Sequence, residues 1–254
     1  MNWYFCCNEE GLSKYETSIR IAVASARRNT SLKPKIVYDG GRNELTGWLE
    51  SQGVEIIEAR TPLYEDILKQ EDRPGYRRRI AHGVYLRFEV ANFEKDEPFC
   101  LYTDSDVMFL SDPARGDLHP TTFAAAPEMD PHDWSYFNSG VMLMNVACFR
   151  GEYDALMEYS RKRLGQTIAY DQGALNEFFK DNWDRLPITW NWKPYWGLND
   201  EAVVLHFHGP KYETIKFLID GGEEQVVHEA WQTLFDHNPE AYERYLRMAE
   251  SYLS

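Results

Sequence analysis

Basic charge is scarce in this chain: 27 lysines and arginines stand against 41 aspartates and glutamates over 254 residues, a net charge near −14. An excess of that size repels phosphate backbones and anionic lipid, which argues against a nucleic-acid partner. Cysteine is scarce too. The four cysteines, Cys6, Cys7, Cys100 and Cys148, include no C-x-x-C pair, and three lie in apolar, strand-like runs. Buried free thiols are therefore expected rather than disulfides or a zinc site. No apolar run is long enough to make a transmembrane segment, and no secretory leader pattern is present. A cytoplasmic location is the expectation, with which peripheral membrane contact stays compatible. Repeats, low-complexity tracts and linkers are also missing, so a single domain over residues 1–254 is expected.

What the chain does have is 43% hydrophobic content, enough for a sizeable core, and an aromatic share of 15%. Its first half alternates short apolar runs with helix-spaced patterns, the signature of βαβ units in an α/β fold. Strands are expected at 3–7, 35–38 and 54–57, in the run ending at Asp104, and at 122–126, 140–146 and 203–209. Helices are expected at 12–29, 44–52, 80–93, 153–164, 170–179 and 239–253, the last with a proline in its first turn.

Residues 99–110 read FCLYTDSDVMFL, so an apolar strand runs out into Asp104, Ser105 and Asp106. An Asp-x-Asp arises by chance about once at this composition. Its place at a strand end raises its standing, because α/β sheets bind ligands outside the carboxyl ends of their strands. Two carboxylates leaving a core strand suggest a cation held against a phosphate oxygen; a solvated turn is the alternative.

Three further segments add to it. In YFNSGVMLMN, 136–145, Asn138, Ser139 and Gly140 open an apolar strand, where small residues admit a ligand and an amide suits sugar hydroxyls. In YDQGALNEFF, 170–179, Asp171 and Gln172 open a helix, and an ordinary N-cap aspartate is the competing account. In VVLHFHGPKY, 203–212, a strand ends in His206 and His208, which would share one face. A histidine beside two aspartates favours manganese. Lys211 offers a point charge for a diphosphate, and Gly209 allows backbone amides to approach one.

Four such clusters in this order resemble the retaining glycosyltransferases of family 8, the family of glycogenin and the bacterial lipooligosaccharide galactosyltransferases. The likeness runs over about residues 3–212. It implies a GT-A type nucleotide-diphospho-sugar transferase fold, one Rossmann-like domain with a mixed central sheet. A nucleotide-binding half at 1–110 would precede a donor-sugar and acceptor half at 111–254. It further implies that Asp104, Asp106 and His206 bind Mn²⁺, with Mg²⁺ as the alternative ion, and that Lys211 meets the diphosphate. Arg87, in VYLRF, would reach the donor, Asn8 would belong to the nucleotide-binding turn, and Asp171 and Gln172 would be the catalytic pair. Lys211 stands one position earlier than the family pattern, with Lys216 as a substitute.

The activity so implied is transfer of a hexosyl unit from a nucleotide sugar, UDP-linked, to a glycan or other hydroxyl acceptor with retention. A sugar nucleotidyltransferase and a silent sugar-nucleotide-binding protein are the alternatives. The first wants a glycine-rich basic loop after strand one, where this chain has the acidic CCNEEGLSKY. Two more segments carry paired readings. Arg77, Arg78 and Arg79 are either a solvated run or a loop closing on donor phosphates, and Trp190, Trp192, Tyr195 and Trp196 either pack or stack on an acceptor sugar.

Overall fold

A computed structural model describes residues 1–167, 169–221 and 227–253. The chain forms two compact units whose segments interleave: Met1–Lys14, Leu32–Asp104 and Arg115–Leu186 make the first, and Tyr15–Ser31, Ser105–Ala114 and Pro187–Ser254 the second. The expected halves 1–110 and 111–254 do not coincide with them. The reason is pairing distant in sequence: Val107–Phe109 and Val204–His206 join as antiparallel strands inside the second unit.

The first unit is built on a seven-stranded mixed sheet. Its strands are β1 (Asn2–Asn8), β2 (Lys33–Asp39), β3 (Glu55–Glu58), β4 (Phe99–Thr103), β6 (Phe123–Pro127), β7 (Phe137–Asn145) and β8 (Asp184–Arg185), while β5 (Val107–Phe109) and β9 (Val204–His206) are the second unit's pair. The order is β3-β2-β1-β4-β7-β6-β8, with β3, β2, β1 and β4 parallel and β7 antiparallel to both its neighbours. Parallel strands covered on both faces should read as continuous apolar runs, and β1 does so over Trp3–Cys7. Trp3, Tyr4 and Phe5 are buried, and eight consecutive residues of β7 are buried. Helix Glu44–Ser51 starts where Asn43 and Thr46 cap one another reciprocally.

In the second unit, helix Glu16–Asn29 packs on β5. Ser25 Oγ accepts from the Phe109 N–H at 3.0 Å, and Asn29 donates to the Phe109 carbonyl at 2.8 Å, satisfying the short strand's polar groups. Met108, Leu205, Ile215, Tyr242 and Tyr245 form its core with helices Tyr212–Ile219 and Pro239–Glu250. Trp190 and Tyr195 are buried here, and Trp192 donates to the Gly197 carbonyl at 2.8 Å, so the aromatic cluster packs.

Several elements differ from expectation. The helix expected at 12–29 is broken at Tyr15 into Glu9–Lys14 and Glu16–Asn29. The helix expected at 80–93 is a helix Arg78–Val84, a 3₁₀ turn Tyr85–Glu89 and a short helix Val90–Phe93, because Arg87 and Glu89 turn charged side chains into the interior. Strand β7 begins three residues early, and the helix expected from 153 begins at Val146, where Asn145 accepts from Cys148 N–H at 3.3 Å. Strands β5 and β8 are too short to read from a pattern. The cysteines are free, Cys7 and Cys100 buried, Cys6 half-buried and Cys148 exposed.

Candidate active site

At the carboxyl ends of β1, β2 and β3 the first unit has an open cleft of about 450 Å³, whose walls include Asn8, Asp39, Arg60, Tyr64, Arg79 and His82. Asn8 ends β1 and is fixed at both ends of its amide: Nδ2 donates to the Arg79 carbonyl at 2.6 Å and Oδ1 accepts from the Gly11 N–H at 2.8 Å. Tyr64 lies between the Arg60 guanidinium, 4.1 Å from its centroid, and the His82 ring at 4.5 Å. Burial lowers the His82 pKa, so that ring is neutral at pH 7. Arg78 and Arg79, from the basic run, line the same cleft.

Arg87 stands at the centre of a second cluster in this unit. Its guanidinium donates to Asp104 Oδ1 at 2.9 Å, to the Ser139 carbonyl at 2.8 Å and to Ser139 Oγ at 2.5 Å. Its Nε lies 2.6 Å from Asp171 Oδ2, and its plane faces the Tyr102 ring, whose hydroxyl also donates to Asp104. One fork thus joins β4, β7 and the helix Asp171–Phe178. Arg87 is buried and its donors are engaged within the protein, where they organise the carboxylates.

Asp171 is not the N-cap of its helix. Tyr170 holds that place, with φ 54°, and Asp171 is the first helical residue, 2% exposed. Burial raises its pKa to about 7, against the lowering effect of Arg87 and with the negative charge of Asp104 adding to the rise. Gln172 Oε1 accepts from the Ser139 N–H at 3.0 Å, Asn138 Nδ2 at 3.2 Å and Ser139 Oγ at 3.3 Å, so its carbonyl is turned onto β7. Asn138 also donates to Glu128 Oε2 at 2.6 Å. Glu128 follows the apolar run of β6, and the reasoning that singled out Asp104 at a strand end applies equally to it, though sequence reasoning passed it over.

The second unit holds the remaining candidates. Asp106 is buried, with its carboxylate against Lys211 Nζ and 3.4 Å from His206 Nε2. Burial works to raise the Asp106 pKa, and the positive charges of Lys211 and His206 outweigh it, holding the carboxyl well below its ordinary range. Lys211 also donates to the Phe207 carbonyl at 2.9 Å, whereas Lys216 points to solvent from the next helix. His206 Nδ1 is 3.0 Å from Asn191 Oδ1. An amide oxygen only accepts, so His206 carries a proton on Nδ1, and in its neutral form the Nε2 lone pair would be left for a cation. Asn191 had no signal in the sequence.

His208 does not share His206's strand face. β9 ends at His206, and the His208 N–H folds back onto the His206 carbonyl at 2.7 Å, which sends its ring to the Tyr195 hydroxyl at 3.0 Å. Gly209 has φ 98°, and a Cβ there would meet Leu234 Cδ1 at 2.6 Å, so glycine is required by the turn itself.

Comparison with known proteins bears on the family and on the fold. Residues 119–211 match the model of glycosyl transferase family 8. Glycosyltransferase GlyB of Streptococcus pneumoniae serotype 4 is 29% identical over 235 residues, 88% of this chain and 55% of that protein. Among solved structures, apo glycosyltransferase GlyE of Streptococcus pneumoniae TIGR4 superposes with TM-score 0.63 at 17% identity, covering 99% of this chain and 64% of that one. The galactosyltransferase LgtC, solved in complex with donor and acceptor sugar analogs, superposes with TM-score 0.61 at 18% identity, covering 92% of this chain and 100% of that one. The chain spans about half or less of the length of the curated relatives it matches. The structural likeness establishes the fold, which is of the GT-A type.

Proposed function

We propose, on the premise that this chain belongs to glycosyl transferase family 8, that it moves a hexosyl unit from a UDP-linked sugar to a hydroxyl of a glycan or similar acceptor, with retention and with a divalent cation. The observation that carries the reading is the Arg87 fork, which gathers Asp104, Ser139 and Asp171 from three distant segments into one cluster. A network that costs this much charge burial is accounted for by a site with work to do.

On this reading the nucleoside enters the cleft between Asn8 and Tyr64, and Arg78 and Arg79 close on its phosphates. Asp104, Asp106 and His206 would hold the ion, and two carboxylates with an imidazole fit manganese before magnesium. When bound, the cation supplies neutralising charge for the diphosphate. Lys211, which pairs with Asp106 in this structure, would turn its ammonium to the leaving diphosphate once that carboxylate served an ion. Asp171 accepts hydrogen bonds from donor-sugar hydroxyls, Asn138 and Ser139 line the sugar, and Gly209 supplies the turn that follows His206 and His208. Gln172 adjoins the reacting carbon. A neutral amide is a poor nucleophile, which favours front-face attack in which the departing diphosphate takes the acceptor's proton. Residues 1–254 act in this scheme as one transferase domain in the cytoplasm.

The nucleotidyltransferase alternative loses ground because Asn8 leads into helix Glu9–Lys14, with two glutamates where a phosphate-cradling loop is needed. A silent binder would hold UDP without consuming a donor. Incubation with a panel of nucleotide sugars and Mn²⁺, followed by NMR of the released or transferred sugar, tests all three. Donor consumption with the anomeric configuration kept is expected, and an inverted product or binding without turnover overturns the reading.

A further inference from the structure

Immediately before Asp171 the backbone takes a conformation that L-residues avoid: Ala169 has φ 55° and Tyr170 has φ 54° with ψ −116°. For a bulky residue that is strain, and strain persists only where the surroundings enforce it. Part of the enforcement is local, since Thr167 Oγ1 donates to the Tyr170 carbonyl at 2.8 Å. The rest comes from a segment far away in sequence. Arg77 N–H donates to the Tyr170 hydroxyl at 2.9 Å, the Tyr76 ring lies 5.4 Å from the Tyr170 ring, and Arg73 donates to the Gly165 carbonyl. The segment that holds the turn continues directly into Arg78 and Arg79 on the cleft wall.

We infer that Tyr170 is a positioning residue: its hydroxyl ties the Arg73–Arg79 segment to the strained turn that presents Asp171 and Gln172, so that occupancy of the cleft and the setting of that pair are coupled. The inference rests on the transferase reading for its kinetic consequence, and on the fold alone for its structural one. Gln172 N–H bonds to the Ala169 carbonyl at 3.1 Å, and Ala174 N–H to the Tyr170 carbonyl at 3.1 Å, so the turn and the first helical turn are one hydrogen-bonded unit. Release of the hydroxyl leaves the Arg77 N–H without its acceptor and lets the strained residues relax, carrying the Asp171 carboxylate off the Arg87 Nε.

The test is Tyr170→Phe in the whole protein, read by amide hydrogen exchange and by kinetics. Without ligand, exchange in residues 171–178 should rise about tenfold or more while β1 and β4 keep their protection. In wild type, UDP with Mn²⁺ should slow exchange in residues 171–178; in the variant that slowing should vanish. Donor turnover should fall about tenfold in kcat with donor KM held, the mark of a residue that sets reactive geometry. Ala169→Asn in the Tyr170→Phe background supplies a residue at ease with positive φ and should recover part of kcat. Unchanged ligand-free exchange, or a raised KM at unchanged kcat, overturns the inference. Failure of UDP to protect any cleft residue in wild type would instead overturn the transferase reading, and the ligand-free comparison would still decide on Tyr170.

Discussion

The Nε of Arg87 stands 2.6 Å from Asp171 Oδ2, with both side chains almost wholly removed from solvent. A buried guanidinium tied to a buried carboxylate stabilises the fold only while both partners remain. Arg87→Lys keeps the charge and loses the fork that also serves Asp104 and Ser139. The variant should lose about 3 kcal/mol of stability, seen as a lowered melting temperature, and roughly 100-fold in donor turnover. A lysine variant with wild-type melting and turnover would show the fork to be dispensable.

Cation dependence is expected to run through Asp106. Chelator treatment should abolish turnover, and Asp106→Asn with Mn²⁺ present should cost about 100-fold or more. Asn191→Leu removes the acceptor that fixes the His206 tautomer and should weaken Mn²⁺ dependence of activity about 10-fold to 100-fold without touching a ligand. Titration of activity against Mn²⁺ separates the two, and a midpoint unmoved in Asn191→Leu would remove Asn191 from the site.

Asp171 and Gln172 should differ in cost. Gln172→Ala removes a neutral acceptor of three hydrogen bonds and should lower kcat about 10-fold to 100-fold. Asp171→Asn loses charge-assisted bonds to the sugar and leaves Arg87 short of one anion, so it should cost more. The reverse order in steady-state kinetics would exchange their assigned roles.

Acid stability should depend on Glu94, distant from these residues. Burial acts to raise its pKa, but Asn2, Tyr4 and the N–H groups of Asp96 and Glu97 all donate to it, and the net direction is downward. A carboxyl lower in the folded than in the unfolded chain adds stability above its unfolded pKa, about 4.3, and loses it as pH falls through the folded value. Glu94→Gln should therefore be less stable than wild type at pH 7, and the gap should narrow below about pH 4 in chemical unfolding curves. A gap constant from pH 7 to pH 3 would exclude the charge as its cause.

Much of the fold was legible in order along the chain. Buried strands such as β1 and β4 announce themselves because parallel strands covered on both faces must be continuously apolar. The acidic pair at Asp104 and Asp106 stood out for the complementary reason, as charge leaving such a run. The elements that escaped were those decided by partners rather than by period. β5 has three residues and exists because β9 pairs with it, and the helix expected at 80–93 tightens at Tyr85–Glu89 because Arg87 turns inward.

The same division runs through the site. Sequence by itself determined which groups are present and where each sits along its element: Asp104, Asp106 and His206 at the ends of apolar runs, Asn138 and Ser139 at the opening of another, and Asp171 and Gln172 at the start of a helix. Only tertiary structure decided who faces whom. Glu128 and Asn191 became partners of Asn138 and His206, Lys211 took Asp106, and Tyr170 met Arg77 from 93 residues away. Those choices are set by packing across sequence distances at which local propensity carries no information, and hydrogen bonds between such segments form only once the core has brought them within reach.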